Sequence, residues 1–179
     1  QSAGGSAVRI CAENLQSSGG SMPDGIILLS PAMPRFVWFT TPVLAWLMIK
    51  YIWKLLFARR IFIASKDFLK LIGPIDQNGG DVRMKGIPGK EARSLAFYPR
   101  KFRGCSCPVL LIYGDMDNWI APRAQIKLGN MLRRTSRSVE LVRIPGSGHV
   151  TLLSSSKQII YTTIKRWVLS TATRATYQS

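Results

Sequence analysis

The fold of this chain is decided by the stretch Pro108-Val109-Leu110-Leu111-Ile112-Tyr113-Gly114-Asp115-Met116-Asp117-Asn118-Trp119-Ile120-Ala121-Pro122. Its first half, from Val109 to Gly114, is a short apolar run, typical of a strand buried on both faces of a sheet. Pro122 suits the first turn of a helix, where its missing N–H leaves nothing unpaired. The helix that it starts places apolar residues on one face, namely Ala124, Leu128, Met131 and Leu132. The stretch predicts a strand, a loop with two carboxylates, and a helix.

The sequence on either side continues this alternation of strands and helices. The predicted elements are a helix over Ser6 to Leu15, a strand over Gly25 to Ser30, a strand over Val139 to Ile144, and a final helix from about Ser156 to Ser170. Strands that alternate with helices favour an open parallel sheet with helices on both faces, so the predicted fold class is α/β.

The middle third of the chain, residues 35–103, has a different composition and reads as an insertion. It holds 14 Lys and Arg against 4 Asp and Glu, a net charge of +10 out of +16 for the whole chain. We therefore divide the chain into residues 1–34 (helix and buried strand of the core), 35–103 (a basic, apolar helical cap or lid) and 104–179 (the C-terminal core).

Within the insertion, Val43 to Phe57 is predicted to be a long apolar helix with Lys50 and Lys54 on one face. Three interpretations stay open: a cap helix packed over a site, a helix lying in a membrane interface, and a spanning helix. The two lysines count against spanning, which needs about 20 mostly uncharged residues. Arg59-Arg60 and Lys66 to Lys70 continue in helical style, and residues 73–89 read as a loop rich in Gly and Pro.

The chain contains one histidine, His149, in the loop Pro145-Gly146-Ser147-Gly148-His149. It is the only group that could move protons at neutral pH as an imidazole. His149 follows one predicted strand and Asp117 follows another, while Ser2 stands just before a helix. In parallel sheets, catalytic residues gather beyond the carboxyl ends of the strands, so we expect these three along one edge. Taken singly, Ser2 could be a helix N-cap, Asp115 a turn or cap residue, and Asp117 a partner of the Pro122 helix.

The order Ser, Asp, His resembles the α/β-hydrolase superfamily, in particular its serine esterase and lipase-like members with a cap or lid. Gln1-Ser2-Ala3-Gly4 matches the nucleophile elbow G-x-S-x-G except for the first glycine, which would fall before Gln1. Residues 111–122 match the acid motif and select Asp117 over Asp115. Gly146 to His149 matches the histidine motif.

The resemblance implies a role for each matched residue. Ser2 would be the nucleophile, His149 its base, and Asp117 the acid that holds the imidazole. The backbone N–H of Ala3 would be one oxyanion donor. No cofactor and no metal are implied. The early strands and the loop with the second oxyanion donor are missing, so we expect the chain to be a fragment that alone is inactive and poorly soluble.

An insertion rich in Trp and Phe predicts an apolar channel, so the expected activity is hydrolysis of an apolar, acyl or lipid-like ester. A serine nucleophile argues against the branches that use Asp, whereas carbon–carbon hydrolases and haloperoxidase-like members share the Ser-Asp-His set and stay open. The alternative is a non-catalytic, membrane-associated binding protein of the same fold. The aromatic residues behind this expectation are Phe36, Trp38, Phe39, Trp46, Trp53 and Phe57.

The strong positive charge predicts an anionic membrane surface as a partner of the basic lid. Nucleic acid is not an expected partner, because no RNA- or DNA-reading motif is visible and the aromatic residues cluster in an apolar run. Cys11, Cys105 and Cys107 read as free thiols without the companion ligands of a zinc site. Free thiols favour a reducing, intracellular compartment.

Overall fold

The structure is a computed structural model that describes residues 2–31, 41–51, 53, 57, 60, 61, 67, 70, 73, 87, 88 and 105–176. In chain order its elements are α1 (Ser2–Ser17), β1 (Ile26–Leu29), α2 (Pro42–Lys50), β2 (Arg60–Ile61), β3 (Ile87–Pro88), β4 (Val109–Gly114), α3 (Pro122–Leu132), β5 (Val139–Ile144), a short 3-10 helix (Thr151–Leu153) and α4 (Lys157–Thr176).

The main sheet has three parallel strands in the order β1, β4, β5. The register sets Leu111 of β4 between Leu28 of β1 and Leu141 of β5. All six residues of β4 are buried, as expected for the central strand of a sheet that is covered on both faces. The predicted α/β class with a parallel sheet is confirmed.

Helices cover the two faces of the sheet, and the alternation of side chains along β4 divides the core between them. Val109, Leu111 and Tyr113 pack in one cluster with residues of α1 and α3. Leu110 and Ile112 pack in a second cluster with Ile160 and Trp167 of α4, among others. Because side chains of β4 enter both clusters, the strand is anchored on both faces up to the edge where Asp117 and His149 follow.

Several element bounds differ from the prediction. Helix α1 already begins at Ser2, and α4 extends to Thr176, six residues beyond the predicted end. Helix α2 ends at Lys50 and is followed by a turn at Tyr51, although Trp53 and Phe57 are again helical. Helix ends are weakly specified by sequence and shift in either direction, so periodicity ends α4 too early and runs past the end of α2.

The predictions for Arg59-Arg60 and for residues 73–89 were wrong at β2 and β3, whereas Asp67 and Lys70 are helical as expected. Arg60–Ile61 pairs antiparallel with Ile87–Pro88, where a helix and a loop were expected. The pairing joins segments far apart in the chain, so a local pattern does not reveal it. Most of residues 35–103, including Phe36, Trp38 and Phe39, lies outside the described residues, and the division of the chain into three parts stays a prediction.

Candidate active site

His149 and Asp117 meet in a buried contact at the carboxyl edge of the sheet. The imidazole Nδ1 lies 2.8 Å from Asp117 Oδ2, and both residues are at most 3% exposed. A carboxylate can only accept at this distance, so the contact requires the proton to be on Nδ1. The neutral imidazole then carries its lone pair on Nε2, which is the arrangement that a general base needs.

The second carboxylate oxygen of Asp117 is held by the backbone of its own loop. Oδ1 accepts hydrogen bonds from the N–H groups of Trp119 and Ile120, each 2.8 Å long. Aspartate is suited to this position because its short side chain reaches N–H groups two and three residues ahead. With both oxygens engaged, the carboxylate has a fixed orientation toward His149.

The histidine loop is held directly against the end of β4. The N–H of Met116 donates to the carbonyl of Ser147 over 2.9 Å, and the N–H of Asp115 donates to the carbonyl of Ile144. A Cβ atom on Gly114 would lie only 2.1 Å from the Ser147 carbonyl oxygen. Glycine is therefore required at this position, because any side chain would separate the acid loop from the histidine loop.

Asp115 has a different set of partners from Asp117. Its carboxylate accepts from Arg143 at 2.8 Å and from the N–H of Gly146 at 2.7 Å. The Arg143 guanidinium, with the Gly146 N–H, holds the pKa of Asp115 below its usual range. Asp115 thus joins the end of β4 to the end of β5 and to the turn before His149, and the structure brings Asp117, not Asp115, to the imidazole.

Trp119 is a part of this site that we did not predict. Its indole stacks on the His149 ring with centroids 5.3 Å apart and planes 25° apart. Trp119 also packs against Leu47, a buried residue of α2, so α2 lies close to the histidine. The available signal was the position of Trp119 two residues after Asp117, as the one aromatic side chain of the loop between β4 and α3.

Further contacts join the middle third of the chain to the acid and histidine loops. The Thr41 hydroxyl donates to the Asn118 carbonyl, and the Asn118 amide donates to the Lys70 carbonyl at 3.0 Å. Gly73 lies so near that a Cβ atom on it would be 2.6 Å from the Met116 carbonyl oxygen and 3.0 Å from Gly148 Cα. Described residues of the middle third therefore contact the loops that carry Asp117 and His149.

Ser2 and Ala3 lie in the first turn of α1, whose start faces the same edge of the sheet. A Cβ atom on Gly5 would be 3.0 Å from the Cβ of Pro31, the second residue after the carboxyl end of β1. The amino end of a helix carries a partial positive charge and N–H groups without intrahelical partners. The side chains of Ser2 and Ala3 lie outside the described part of the structure, and their roles stay predictions.

The cysteines belong to other parts of the molecule. Cys105 and Cys107 are buried free thiols ahead of β4, at the amino edge of the sheet and away from His149, and Cys11 is an exposed thiol. The hydrogen bond between the Cys105 and Cys107 thiols lowers the pKa of Cys105 to about 7 and raises the pKa of Cys107. Among the described residues, no group of His, Cys, Asp and Glu could hold a metal ion.

Comparisons with known proteins agree with this architecture. A sequence model described as the prolyl oligopeptidase family matches residues 83–174, just over half of the chain, and includes Asp117 and His149. No curated protein sequence matches the chain significantly.

Solved structures of two proteins are similar to this chain in fold. Est1E from Butyrivibrio proteoclasticus has a TM-score of 0.53 at 18% identity, over 97% of this chain and 59% of its own. Rv0554 from Mycobacterium tuberculosis has a TM-score of 0.59 at 15% identity, over 90% of this chain and 61% of its own. A second structure of Est1E, with ferulic acid bound, is similar to the same degree. The chain thus spans about three fifths of the length of these proteins.

Proposed function

Because this chain belongs to the prolyl oligopeptidase family, we propose that it carries the acid and the histidine of a serine hydrolase. Its fold is that of the α/β-hydrolases. The observation that carries the proposal is the buried 2.8 Å contact between His149 Nδ1 and Asp117 Oδ2, with Asp117 Oδ1 fixed by two backbone N–H groups. We assign Asp117 as the orienting acid, His149 as the base and Ser2 as the nucleophile.

The first half-reaction follows from these assignments. His149 Nε2 takes the hydroxyl proton of Ser2 while the serine oxygen forms a bond to the carbonyl carbon of the substrate. The imidazolium that forms is stabilised by the Asp117 carboxylate. Negative charge develops on the carbonyl oxygen, and we assign the backbone N–H of Ala3 at the amino end of α1 as one of its donors. His149 returns the proton to the leaving group, which departs as an alcohol and leaves an acyl-serine.

In the second half-reaction water replaces the alcohol. His149 takes a proton from water as the oxygen attacks the acyl carbon, and the acid is released as the serine oxygen recovers its proton. Both half-reactions use the same imidazole. In each of them His149 accepts one proton and donates one, and a ring that is held by Asp117 and Trp119 can do this without reorienting.

For the substrate we propose an apolar carboxylic ester. The support is the apolar layer next to His149, where Trp119, Leu47 and Val43 pack together. Est1E, which has the same fold, binds ferulic acid, an aromatic acid. An aryl acyl group would extend the stack of flat rings begun by His149 and Trp119.

A peptidase is the second candidate, and the description of the matching family favours it. Esters and amides pass through the same acyl-serine but differ in the leaving group. The test compares, on the full-length protein, p-nitrophenyl esters of aliphatic and aryl acids with the p-nitroanilide of a proline-containing peptide. We expect the esters, and most of all the aryl ester, to be cleaved with the higher kcat/KM. Preference for the anilide would assign the peptidase instead.

The non-catalytic alternative predicts a different result in the same assay. A binding protein of this fold would cleave neither class of substrate faster than a His149→Ala variant does. Ester cleavage that falls to the background rate in His149→Ala therefore supports the enzyme and contradicts the binding protein.

A further inference from the structure

Four large apolar side chains on α2 and shortly after it in the chain are exposed to solvent, which is unusual because contiguous apolar patches on a protein surface mark interaction sites. Trp46 is 48% exposed, Ile49 73%, Trp53 72% and Phe57 72%. Trp46 and Ile49 are three residues apart on α2, and Trp53 and Phe57 are four apart in helical backbone. Residues at these spacings are neighbours on a helix surface. We call these four residues the exposed apolar strip.

The strip is separate from the side of α2 that packs against the protein. Leu47 is buried and packs with Val43, Tyr51 and Trp119. Lys50 Nζ and the Tyr51 hydroxyl both donate to the buried carboxylate of Asp67, at 2.7 and 2.8 Å. These contacts already anchor α2 in the fold, so the strip has no evident role in attaching the helix.

Two lysines lie beside Trp46, at one end of the strip. The Lys50 and Lys70 ammonium groups lie over the Trp46 ring, 4.9 and 5.4 Å from its centroid. Across residues 35–103 the net charge is +10. Indole rings beside ammonium groups suit the boundary between lipid headgroups and acyl chains, where the ring can enter the apolar layer while the cation meets phosphate.

We propose that the exposed apolar strip, with Lys50 and Lys70, docks onto the surface of an anionic membrane. The charge of the molecule favours this occupant over a second copy of the chain. Two copies, each with a net charge of +16, would bring like charges together if they met through a strip that has Lys50 and Lys70 at one end. On an anionic lipid surface, by contrast, each well-placed Lys or Arg strengthens binding by about 1 kcal/mol.

Among the described residues no helix is both long and apolar enough to cross a bilayer. The proposed mode is therefore a peripheral one, in which α2 lies along the surface. The proposal rests on exposed residues alone and not on the hydrolase activity, so a failed ester assay leaves it standing.

The test is flotation of the full-length protein with vesicles of phosphatidylcholine, alone or mixed with phosphatidylserine. We expect binding to the mixed vesicles only, with a blue shift of tryptophan emission and loss of binding as salt is raised. Ile49→Ser should weaken binding roughly tenfold, because an inserted aliphatic side chain is lost. The matched control is Ile159→Ser on α4, which removes an isoleucine that is 56% exposed and should leave binding unchanged.

A second pair of variants tests the charge. Lys70→Gln should weaken binding about fivefold, whereas Lys165→Gln, which alters an exposed lysine of α4, should not. Equal binding to both kinds of vesicle, or equal losses in Ile49→Ser and Ile159→Ser, would overturn the proposal. So would a dimer in sedimentation that Ile49→Ser dissociates, because the strip would then bind a second copy of the chain.

Discussion

The indole of Trp119 stacks on the imidazole of His149, with ring centroids 5.3 Å apart and planes inclined by 25°. The backbone N–H of the same residue donates to Asp117 Oδ1. Trp119 thus contacts the histidine through its side chain and the acid through its main chain. Since Leu47 of α2 packs against Trp119, the middle third of the chain can influence the position of the imidazole.

Trp119 should act as a positioning residue for His149. In Trp119→Ala the imidazole loses the surface that fixes its tilt, and we expect kcat for an activated ester to fall about tenfold with a smaller change in KM. Trp119→Phe keeps a flat ring and should recover most of the loss. Steady-state kinetics on the full-length protein check both variants. If Ala and Phe variants are equally active, the stack has no part in positioning.

Asp117→Asn should remove activity while preserving the fold. The asparagine oxygen can still accept from the Trp119 and Ile120 N–H groups, but its NH₂ group faces Nδ1 and favours the wrong tautomer of His149. We expect a loss in kcat of about 10⁴-fold, as is typical when a triad acid becomes an amide.

The control for this loss is Asp115→Asn, two residues earlier on the same loop. Asp115 pairs with Arg143 and the Gly146 N–H and not with the imidazole, so most of the activity should remain. A comparable loss in both variants would mean that Asp117 acts only by shaping the loop. Circular dichroism of each variant establishes that the fold is retained.

The ion pair of Asp115 should appear in the pH dependence of stability. Arg143 holds the pKa of Asp115 below its usual value in the folded protein. The stabilisation is therefore present above the unfolded-state pKa of about 3.9 and is lost as the pH falls through the folded-state pKa. Urea unfolding at a series of pH values should show a flatter acid limb for Asp115→Asn than for the wild type.

Arg143→Gln removes the main cause of the lowered pKa and should flatten the same limb. Because the guanidinium is exposed, the effect of either variant at neutral pH should be small. An acid limb that neither substitution alters would show that this pair does not contribute to stability.

Gly114→Ala should disrupt the contact between the acid loop and the histidine loop. The added Cβ atom would lie 2.1 Å from the carbonyl oxygen of Ser147, which is backbone and cannot rotate away. We expect a loss of roughly 1–3 kcal/mol in the free energy of unfolding, as for other overpacked buried sites. Gly4→Ala is the matched control, since a Cβ atom there meets nothing within 4 Å and alanine favours helices. Equal stability of Gly114→Ala and wild type would contradict the close packing of the loops.

The three-stranded parallel sheet was predictable from the sequence because each of its strands is a short run of mainly apolar residues. The apolar run of β4 and the helix-forming pattern after Pro122 lie within a few residues of each other. Residues that follow parallel strands share one edge, so the meeting of Asp117 and His149 follows from topology. Asp115 follows the same strand, and the choice of Asp117 over it rests on the match of residues 111–122 to the acid motif of the α/β-hydrolases.

The stack of Trp119 on His149 and the pairing of Arg60 with Pro88 could not be predicted in this way. Each joins residues that are close only in the folded protein. The orientation of an aromatic ring depends on what packs against it, here Leu47 from a distant helix, and no periodicity encodes such a contact. The exposure of Trp53 and Phe57 is a similar case, because an apolar run alone does not tell a buried face from an exposed one.

The most direct test of the central claim is labelling of the full-length protein with a fluorophosphonate probe, which modifies serines that an adjacent base activates. Mass spectrometry of the labelled peptide would locate the modified residue. We predict a single label on Ser2 that is lost in Ser2→Ala and nearly lost in His149→Ala and Asp117→Asn. Absence of labelling, or a label on Ser2 that survives His149→Ala, would contradict the assignment of these residues as a catalytic triad.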